Sequence, residues 1–242
     1  GNQVPDADDD AFLRAMTQVT IEADVEVGSL YIGEGSQLRV AEDSLEIVTQ
    51  RFVNDGLLAN GFGGGSGMPG RLDIIGDYWQ GPGGSLEIVI GGAAAGEHDL
   101  LSVTGTATLA GQLSVTLVDL GDESDLFAPT AGQTFPIVSA AAGLSGEFDP
   151  HGLSLPLLSP GLGWKVDYGS NDVLLEIVTL TSLAADFNAD GSVDSADLAI
   201  WQAAYGLTDG GDADDDGVTA GADFLVWQRL KGAAPALAVN SR

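Results

Sequence analysis

Two acidic segments near the C-terminus have residue types and a spacing that are typical of calcium-binding loops. Each offers side-chain oxygen atoms at positions 1, 3, 5 and 12 of a twelve-residue loop, with glycine at position 6, where the chain must turn sharply around the ion. A backbone carbonyl at position 7 would complete the set. The candidate ligands are Asp186, Asn188, Asp190, Ser192, Asp194 and Asp197 in the first loop, and Asp212, Asp214, Asp216, Val218 and Asp223 in the second. This pattern predicts two sites for Ca2+.

The two loops differ at position 9, from which a ligand often reaches the ion through water. Asp194 occupies this position in the first loop, and Ala220 occupies it in the second. We therefore expect the first site to bind Ca2+ more tightly. Both loops close with aspartate at position 12. Because aspartate is shorter than the glutamate of sensor EF-hands, each loop must close more tightly around its ion.

The loops belong to an internal repeat with an offset of 26 residues, which aligns Trp201 with Trp227. Apolar residues recur at helical spacing after each loop, and this predicts two short amphipathic helices. Gly206 and Gly232 stand just past the predicted helix ends, where glycine is a common C-cap. We expect the two halves to face each other and to bury both tryptophans in one small core.

Residues 186–230 resemble a type I dockerin module, in which two loop–helix segments follow one another. The resemblance implies paired Ca2+ sites and an EF-hand-like arrangement of short helices. For dockerins of cellulosome-type complexes, it also implies docking to a cohesin-like partner. The recognition positions of the family fall on Ser195 and Ala196 in the first segment, and on Gly221 and Ala222 in the second.

Residues 17–180 are predicted to form one all-β domain, long enough to bury a substantial core without disulfides or metals. The segment 17–27 alternates apolar and polar residues without interruption, which predicts one long strand. Glycine-rich turns separate the strands, and 61–70 is predicted to be an exposed loop. Pro136 predicts an edge strand, because proline cannot donate a ladder hydrogen bond. The other predicted strands are 30–32, 38–40, 45–51, 71–75, 86–90, 100–103, 112–118, 134–138, 165–168 and 173–178.

Segments such as 70–74 and 84–88 have the pattern Gly-x-Leu-x-Ile and resemble the repeats of autotransporter-like secreted bacterial proteins. Two architectures fit the predicted strands. We favour a jelly-roll-like β-sandwich, because no fixed period of roughly 20–30 residues extends along the region; a short parallel β-solenoid is the alternative. The expected organisation is an N-terminal acidic arm (1–16), the all-β domain (17–180), the tandem calcium module (181–232) and a C-terminal tail (233–242).

The formal net charge of −28 at pH 7 opposes binding to nucleic acid and to anionic membrane surfaces. No apolar segment approaches the roughly 20 residues of a membrane-spanning helix, so membrane insertion is not expected. The chain lacks cysteine, and therefore disulfides do not indicate a compartment. It starts at Gly1 and not at methionine, which fits either a cleaved signal peptide or a sequence trimmed at its N-terminus. Weak calcium sites fill only where Ca2+ is abundant, which favours an extracellular or cell-surface location.

The sequence offers little for catalysis. His98 and His151 are the only histidines, and no serine or cysteine stands in a nucleophile motif. His98, between Glu97 and Asp99, is a candidate for a metal site, but we favour its interpretation as a solvated turn residue. We expect no enzymatic activity. Tyr78, Trp79 and Trp164 are candidates for an aromatic surface that binds a polysaccharide, although packing in a core is the more frequent use of such side chains.

The N-terminal segment favours a structural role. An acidic arm precedes the alternating segment 17–27, and a strand at such a position can complete the sheet of a neighbouring copy. A head-to-tail contact that does not close into a ring produces a filament. The leading hypothesis is a calcium-stabilised subunit of an extracellular homopolymeric filament. The alternatives are a secreted β-domain anchored to a cohesin-like partner, and a carbohydrate-binding domain.

Overall fold

The computed structural model describes residues 7–14, 16–41, 44–59, 68–121, 126–159, 161–179 and 183–232, and the backbone of 238–240. Within these residues, the chain is mainly β, with two α-helices near the C-terminus. The elements are β1 (Asp10–Leu13), β2 (Gln18–Ile21), β3 (Val25–Glu26), β4 (Ser29–Ile32), β5 (Gln37–Val40), β6 (Ser44–Asn54), β7 (Leu57–Ala59), β8 (Arg71–Gln80), β9 (Ser85–Ile90), β10 (Leu100–Val103), β11 (Ala107–Leu109), β12 (Gln112–Leu117), β13 (Thr134–Ala140), β14 (Leu144–Gly146), β15 (Leu153–Ser154), β16 (Leu162–Tyr168), β17 (Asp172–Thr179), α1 (Ser195–Ala204), α2 (Gly221–Leu230) and β18 (Ala238–Asn240).

The strands form two sheets, and the chain alternates between them, coil after coil. The first sheet follows the order β1-β4-β6-β8-β10-β13-β17-β16-β18, and the second the order β15-β12-β9-β7-β5-β2. From β1 to β15, neighbouring strands within each sheet pair in parallel. β17 then pairs antiparallel with both β13 and β16. The architecture is a short two-sheet parallel β-solenoid that ends in an antiparallel hairpin.

The expected jelly-roll-like sandwich is therefore wrong, because a jelly roll is built from antiparallel strands. The β-solenoid alternative describes the fold. The physical reason is the unequal length of the coils. In the first sheet, Asp10 pairs with Ser29, 19 residues later, whereas Leu101 pairs with Val138, 37 residues later. Because the turns lengthen along the chain, the coils leave no fixed period in the sequence.

The core lies between the two sheets and is built from inward-facing residues that stack in register. One such column joins Leu30, Phe52, Tyr78, Ala107 and Leu144, each paired with its neighbour on the next coil. All five side chains are buried. Burial of a large apolar side chain stabilises a fold by about 1.5–3 kcal/mol, so these columns supply the main stabilisation of the solenoid.

The single strand expected for residues 17–27 is wrong. The segment forms β2 in the second sheet and β3 in the first, with a corner between them. At this corner, Asp24 Oδ1 accepts a hydrogen bond of 2.9 Å from the backbone N–H of Glu46. β2 pairs with β5 and β3 pairs with β6 of the same chain. The segment is therefore integrated into its own domain, which contradicts the donation of the whole strand to a neighbouring copy.

The expected edge position of Pro136 is also wrong. Its strand, β13, lies between β10 and β17, with a strand on either side. The pairing with β17 shifts register between Pro136 and Val138. β10 pairs with β13 only from Val138 to Ala140, so Pro136 lies outside the part of β13 that has a partner on both sides. This position explains how a residue without an N–H to donate occurs in an internal strand.

A buried polar network crosses the core at Asn54, Tyr78 and Gln80, all of which are at most 1% exposed. Tyr78 Oη donates to Gln80 Oε1 at 2.8 Å and accepts from Asn54 Nδ2 at 3.2 Å. Gln80 Nε2 donates to the carbonyl oxygens of Ala110 and Gln112 at 2.7 and 3.0 Å. Burial raises the pKa of Tyr78, so its hydroxyl stays protonated and remains a donor. The network joins successive coils through groups that water cannot reach.

Replacing Tyr78 by phenylalanine should lower the free energy of unfolding by about 1–3 kcal/mol, because the buried polar atoms of Gln80 and Asn54 lose their partner. Urea denaturation followed by circular dichroism measures this loss. Tyr31→Phe is the matched control, since its hydroxyl donates to Asp55 where both residues are only half-buried. Equal losses in the two variants would contradict a stabilising role for the buried network.

Candidate metal centre

Both predicted loops make the turn that the glycine at position 6 was expected to allow. Gly191 and Gly217 have φ angles of 89° and 88°, a region that residues with a Cβ rarely adopt. Position 4 is also left-handed in both loops, with φ angles of 56° at Ala189 and 60° at Asp215. The two loops therefore share one backbone conformation.

In the first loop, backbone N–H groups hold the side chains of positions 1, 3 and 5 near one another. Asp186 accepts from the N–H groups of Asp190 and Gly191 at 3.1 and 2.8 Å. Asn188 Oδ1 accepts from the Asp190 N–H at 3.0 Å, and Asn188 Nδ2 donates to Asp190 Oδ2 at 2.8 Å. Three oxygen-bearing side chains thus converge on one side of the loop.

The second loop repeats this arrangement. Asp212 accepts from the N–H groups of Asp216 and Gly217 at 3.2 and 2.7 Å. Oxygen atoms of Asp212, Asp214 and Asp216 lie within 4.8 Å of one another. Asp214 is exposed, and partial desolvation, followed by the like charges of Asp216, Asp223 and Asp212, raises its pKa. A divalent cation at this point would relieve the repulsion among the three carboxylates.

The residues at position 7 contribute to the same turns. The N–H of Ser192 donates to Asp190 Oδ1 at 2.8 Å, and the N–H of Val218 donates to Asp216 Oδ1 at 2.9 Å. These bonds fix the direction of the carboxylates at position 5. Both residues were predicted to bind an ion through their backbone carbonyl oxygen. The hydrogen bonds described here use only their N–H groups.

The aspartates at position 12, Asp197 and Asp223, differ from the other candidate ligands because both are completely buried. Asp223 Oδ1 accepts from Ala213 and Asp214 at 2.8 and 3.2 Å, and Oδ2 accepts from Ala220 at 2.7 Å. Burial acts to raise the pKa of Asp223, but these backbone donors outweigh it and lower the pKa. Asp197 accepts the corresponding bonds in the first loop. Each closing aspartate fastens the start of its loop to the start of the following helix.

Asp194, which was expected to strengthen the first site, is the N-cap of α1. Its Oδ1 accepts from the N–H of Ala196 at 2.6 Å. Such a cap stabilises a helix by about 1 kcal/mol. Ala220 holds the same position before α2 and has no side-chain acceptor. The difference between the loops at position 9 is therefore, in this conformation, a difference in helix capping.

The two halves of the module hold each other through exchanged hydrogen bonds. Trp201 Nε1 donates to the carbonyl oxygen of Ala220, and Trp227 Nε1 donates to that of Asp194, both at 2.9 Å. The helix-ending glycines repeat the exchange: Gly206 donates to Thr219 at 3.0 Å and Gly232 donates to Val193 at 2.9 Å. Each half therefore positions the loop of the other, an approximate twofold relation that follows from the 26-residue repeat.

The core of the module also differs in one detail from the expectation. Trp227 is 5% exposed, whereas Trp201 is only half-buried. Phe224 lies between them, with ring centroids 4.9 Å from Trp201 and 5.6 Å from Trp227. The two tryptophans thus belong to one core, in which each contacts the Phe224 ring that lies between them. The predicted helices are confirmed as α1 and α2, and Gly206 and Gly232 follow them with φ angles of 67° and 83°.

The other candidates from the sequence are placed differently. His98 is 8% exposed and packs edge-on against Phe135, so its interpretation as a solvated residue is wrong. Burial lowers the pKa of His98. Tyr78 and Trp164 lie in the core at 1% and 4% exposure, so the expected sugar-binding surface of three aromatic residues does not form; only Trp79 reaches the surface.

One buried acid escaped prediction. Asp99 is completely buried, and its two oxygens accept from the N–H groups of Gly70 and Val89 at 2.6 and 2.7 Å. Burial raises the pKa of Asp99 to about 7, although both N–H donors act in the opposite direction. The carboxyl group joins the start of β8 to β9, which indicates a structural function. A single acid in a polar segment carries no sequence pattern that would have identified it.

None of the described helices is long and apolar enough to cross a membrane. Comparison with protein-family models gives no match to this chain, and comparison with curated proteins gives no similar protein. Its function must therefore be inferred from the geometry of the loops and of the solenoid.

Proposed function

We propose that this chain is an extracellular structural protein whose dockerin-like, EF-hand-like tail is stabilised by two Ca2+ ions. The observation that carries this proposal is the repeated hydrogen-bond network of the two loops. Among the described residues, no basic side chain forms an ion pair with these convergent carboxylates, so they repel one another. Hard oxygen ligands at these positions suit Ca2+. The ions would be held by the side chains at positions 1, 3 and 5, with the backbone carbonyl at position 7 and the remaining acceptor capacity of the closing aspartate.

The charge of the chain supports an extracellular setting. At −28, the chain repels itself, and bound Ca2+ reduces that repulsion. Extracellular modules of this type bind Ca2+ with dissociation constants of about 10⁻⁴–10⁻³ M. Such sites are filled where Ca2+ is abundant and are empty at the low concentrations inside cells.

Assembly into a filament is supported by the two edges of the first sheet. β1 forms one edge of this sheet and β18 forms the other. β18 is parallel to β16, and both are parallel to β13, because β17 is antiparallel to β13 and to β16. The two edge strands therefore run in the same direction. A translated copy would bring its β18 alongside β1 in the parallel geometry of the sheet, which is a head-to-tail contact that does not close.

The second sheet also has an edge strand at the N-terminal end of the solenoid. β2 is its edge strand, with β5 on its inner side. Between β1 and β2 lies a cavity of about 340 Å³ with apolar walls that include Leu13, Val19 and Ile21. An apolar opening flanked by two strand edges is a surface that a second copy would cover. We therefore propose that copies associate through the edges of their sheets. This replaces the hypothesis that one copy donates its segment 17–27 to the next, because that segment pairs within its own chain.

Electron microscopy of the purified protein with and without Ca2+ tests this proposal. We expect ordered filaments with Ca2+ and shorter or absent filaments after chelation. Ile21→Asp, which places a charge on the wall of the terminal cavity, should reduce filament length severalfold or abolish filaments. Thr20→Asp is the matched control, because it adds the same charge to the exposed face of β2. Monodisperse particles at high protein and Ca2+ concentration would reject a filament.

A second candidate function is attachment to a partner protein through the module. The four recognition positions Ser195, Ala196, Gly221 and Ala222 are exposed at the starts of α1 and α2. Leu225, on the same helix as two of them, is 64% exposed. An accessible apolar side chain beside these positions favours a protein partner of the cohesin type. Leu225→Glu should abolish such binding and leave filaments intact, which separates the two functions.

A further inference from the structure

A column of three aromatic side chains and one valine runs across the outer face of the first sheet. Phe12, Tyr31, Val53 and Trp79 are partners in register on β1, β4, β6 and β8. Phe12 is 51% exposed, and the ring centroids of Phe12 and Tyr31 are 6.1 Å apart. Tyr31 and Trp79 are half-buried. Because neighbouring strands are about 4.8 Å apart, Tyr31 and Trp79 stand about 10 Å apart along the solenoid axis.

Glycines next to the column leave room for the two rings. A Cβ added to Gly33 would approach Tyr31 Cε1 to 3.3 Å, and one added to Gly81 would approach Trp79 Cη2 to 2.6 Å. Each ring therefore lies over the glycine that follows it by two residues. Neither glycine has a positive φ, so backbone conformation does not require glycine at these positions. The close approach of the aromatic rings does.

Asp55 stands on the coil between the two rings. Its Oδ2 accepts from Tyr31 Oη at 3.0 Å, and its Oδ1 occupies the space beside Gly81 next to the Trp79 ring. Among the residues that the structure describes, none is seen to donate to Oδ1. The side chain is half-buried. Two aromatic rings thus flank one carboxylate oxygen that is available to a hydroxyl donor.

These groups together have the chemistry of a sugar-binding surface. Aromatic faces contact the C–H groups of a pyranose ring, and a positioned carboxylate accepts its hydroxyls and sets its orientation. The guanidinium of Arg14, 4.5 Å above the centroid of Phe12, adds donors at one end of the column.

The charge of the chain restricts the ligand to one class. At −28, and with Asp55 between the rings, an anionic polysaccharide would be repelled. A neutral glycan meets no such barrier. The straight column across successive coils matches an extended chain whose axis follows the solenoid. The distance between Tyr31 and Trp79 is about that of two sugar units.

We propose that Phe12, Tyr31, Asp55 and Trp79 bind an extended neutral polysaccharide on the outer face of the first sheet. This site is separate from the calcium module. Phe12 lies on the edge strand β1, whereas Tyr31, Asp55 and Trp79 belong to inner coils of the sheet, so binding by these three residues does not depend on the function proposed above.

Isothermal titration calorimetry with cellohexaose, xylohexaose and mannohexaose tests this site, with oligogalacturonate as the anionic comparison. We expect at least one neutral hexasaccharide to bind, and oligogalacturonate not to bind. Trp79→Ala and Asp55→Asn should each weaken binding about tenfold or more. Gly81→Ala should have a similar effect, because its Cβ displaces Asp55 and the Trp79 ring. Tyr205→Ala is the control, since it removes a 53% exposed aromatic residue from the tail.

Near-UV circular dichroism of each variant establishes that the solenoid remains folded, and Asp55→Asn preserves the shape of the site if Trp79→Ala does not fold. Wild-type protein that binds none of the three neutral glycans overturns the proposal. So does binding that Asp55→Asn and Trp79→Ala leave unchanged. Self-association in analytical ultracentrifugation that Trp79→Ala abolishes would assign the column to a contact between copies and would equally overturn it.

Discussion

Trp227→Ala is expected to unfold the C-terminal module while the solenoid stays folded. Trp227 is 5% exposed, and it also donates to the Asp194 carbonyl in the other half of the module. Truncation of a buried tryptophan costs about 3–5 kcal/mol, which is a large part of the stability of a unit of about fifty residues. Hydrogen exchange measured by mass spectrometry should show protection lost over residues 183–232 and retained in the solenoid strands.

Trp201→Ala should cost less, because Trp201 is only half-buried, although it loses the corresponding bond to Ala220. Tyr205→Ala serves as the control, since Tyr205 is 53% exposed beside Trp201. The order Trp227, Trp201, Tyr205 in lost protection is the result that the structure requires. A module that tolerates Trp227→Ala as well as Tyr205→Ala would show that the exchanged tryptophan bonds do not hold the halves together.

The strands were predictable because the signal for a half-buried strand is local. Alternation of apolar and polar residues gave 100–103 and 86–90 with the bounds that β10 and β9 have in the structure to within one residue. How the strands assemble was not predictable in the same way. Parallel pairing joins residues that are 19 positions apart between β1 and β4 and 37 positions apart between β10 and β13, and the turns that set this distance differ from coil to coil.

Two errors show how local patterns mislead. Ala23 continues the apolar series of residues 17–27, yet it is exposed at the corner between β2 and β3. A small apolar residue tolerates either position, so the alternation survives a change of sheet. Tyr78 and Trp79 are neighbours of similar character, but one is buried and the other is at the surface. Which one faces inward depends on register, and the pairing of β6 with β8 shifts between Val48 and Arg51.

The loops were the most predictable part of the candidate site, because their conformation depends on residues at short spacing. In both turns, the N–H of the glycine at position 6 donates to the carboxylate at position 1, five residues earlier. The burial of Asp197 and Asp223 and the tryptophan bonds between halves depend on tertiary packing. Asp194 at position 9 was predicted to be a Ca2+ ligand from the chemistry of its carboxylate alone. In the structure, this carboxylate caps the N-terminus of α1.

Removal of Ca2+ is expected to lower the stability of the module by several kcal/mol. At a Ca2+ concentration about 100 times the dissociation constant, each bound ion adds about 2.7 kcal/mol to the free energy of unfolding. Two sites would thus add about 5 kcal/mol. The candidate ligands all lie within residues 186–223, so chelation should lower the melting temperature of the module and leave that of the solenoid unchanged. Differential scanning calorimetry with Ca2+ and with a chelator should resolve the two transitions.

Single substitutions assign this effect to the two loops. Asp216→Ala removes a member of the second carboxylate triad and should weaken one of the two sites about tenfold or more in calorimetric titration. Asp190→Ala should do the same at the first site, which we expect to be the tighter one. Asp215→Asn is the matched control: it removes one negative charge from the second loop at a position that is not a ligand, and asparagine tolerates the φ angle of 60° found there. If Asp215→Asn weakens Ca2+ binding as much as Asp216→Ala, the Ca2+ affinity depends on the net charge of the loop and not on a defined set of ligands. Loss confined to Asp216→Ala requires that the ion lie where Asp212, Asp214 and Asp216 converge.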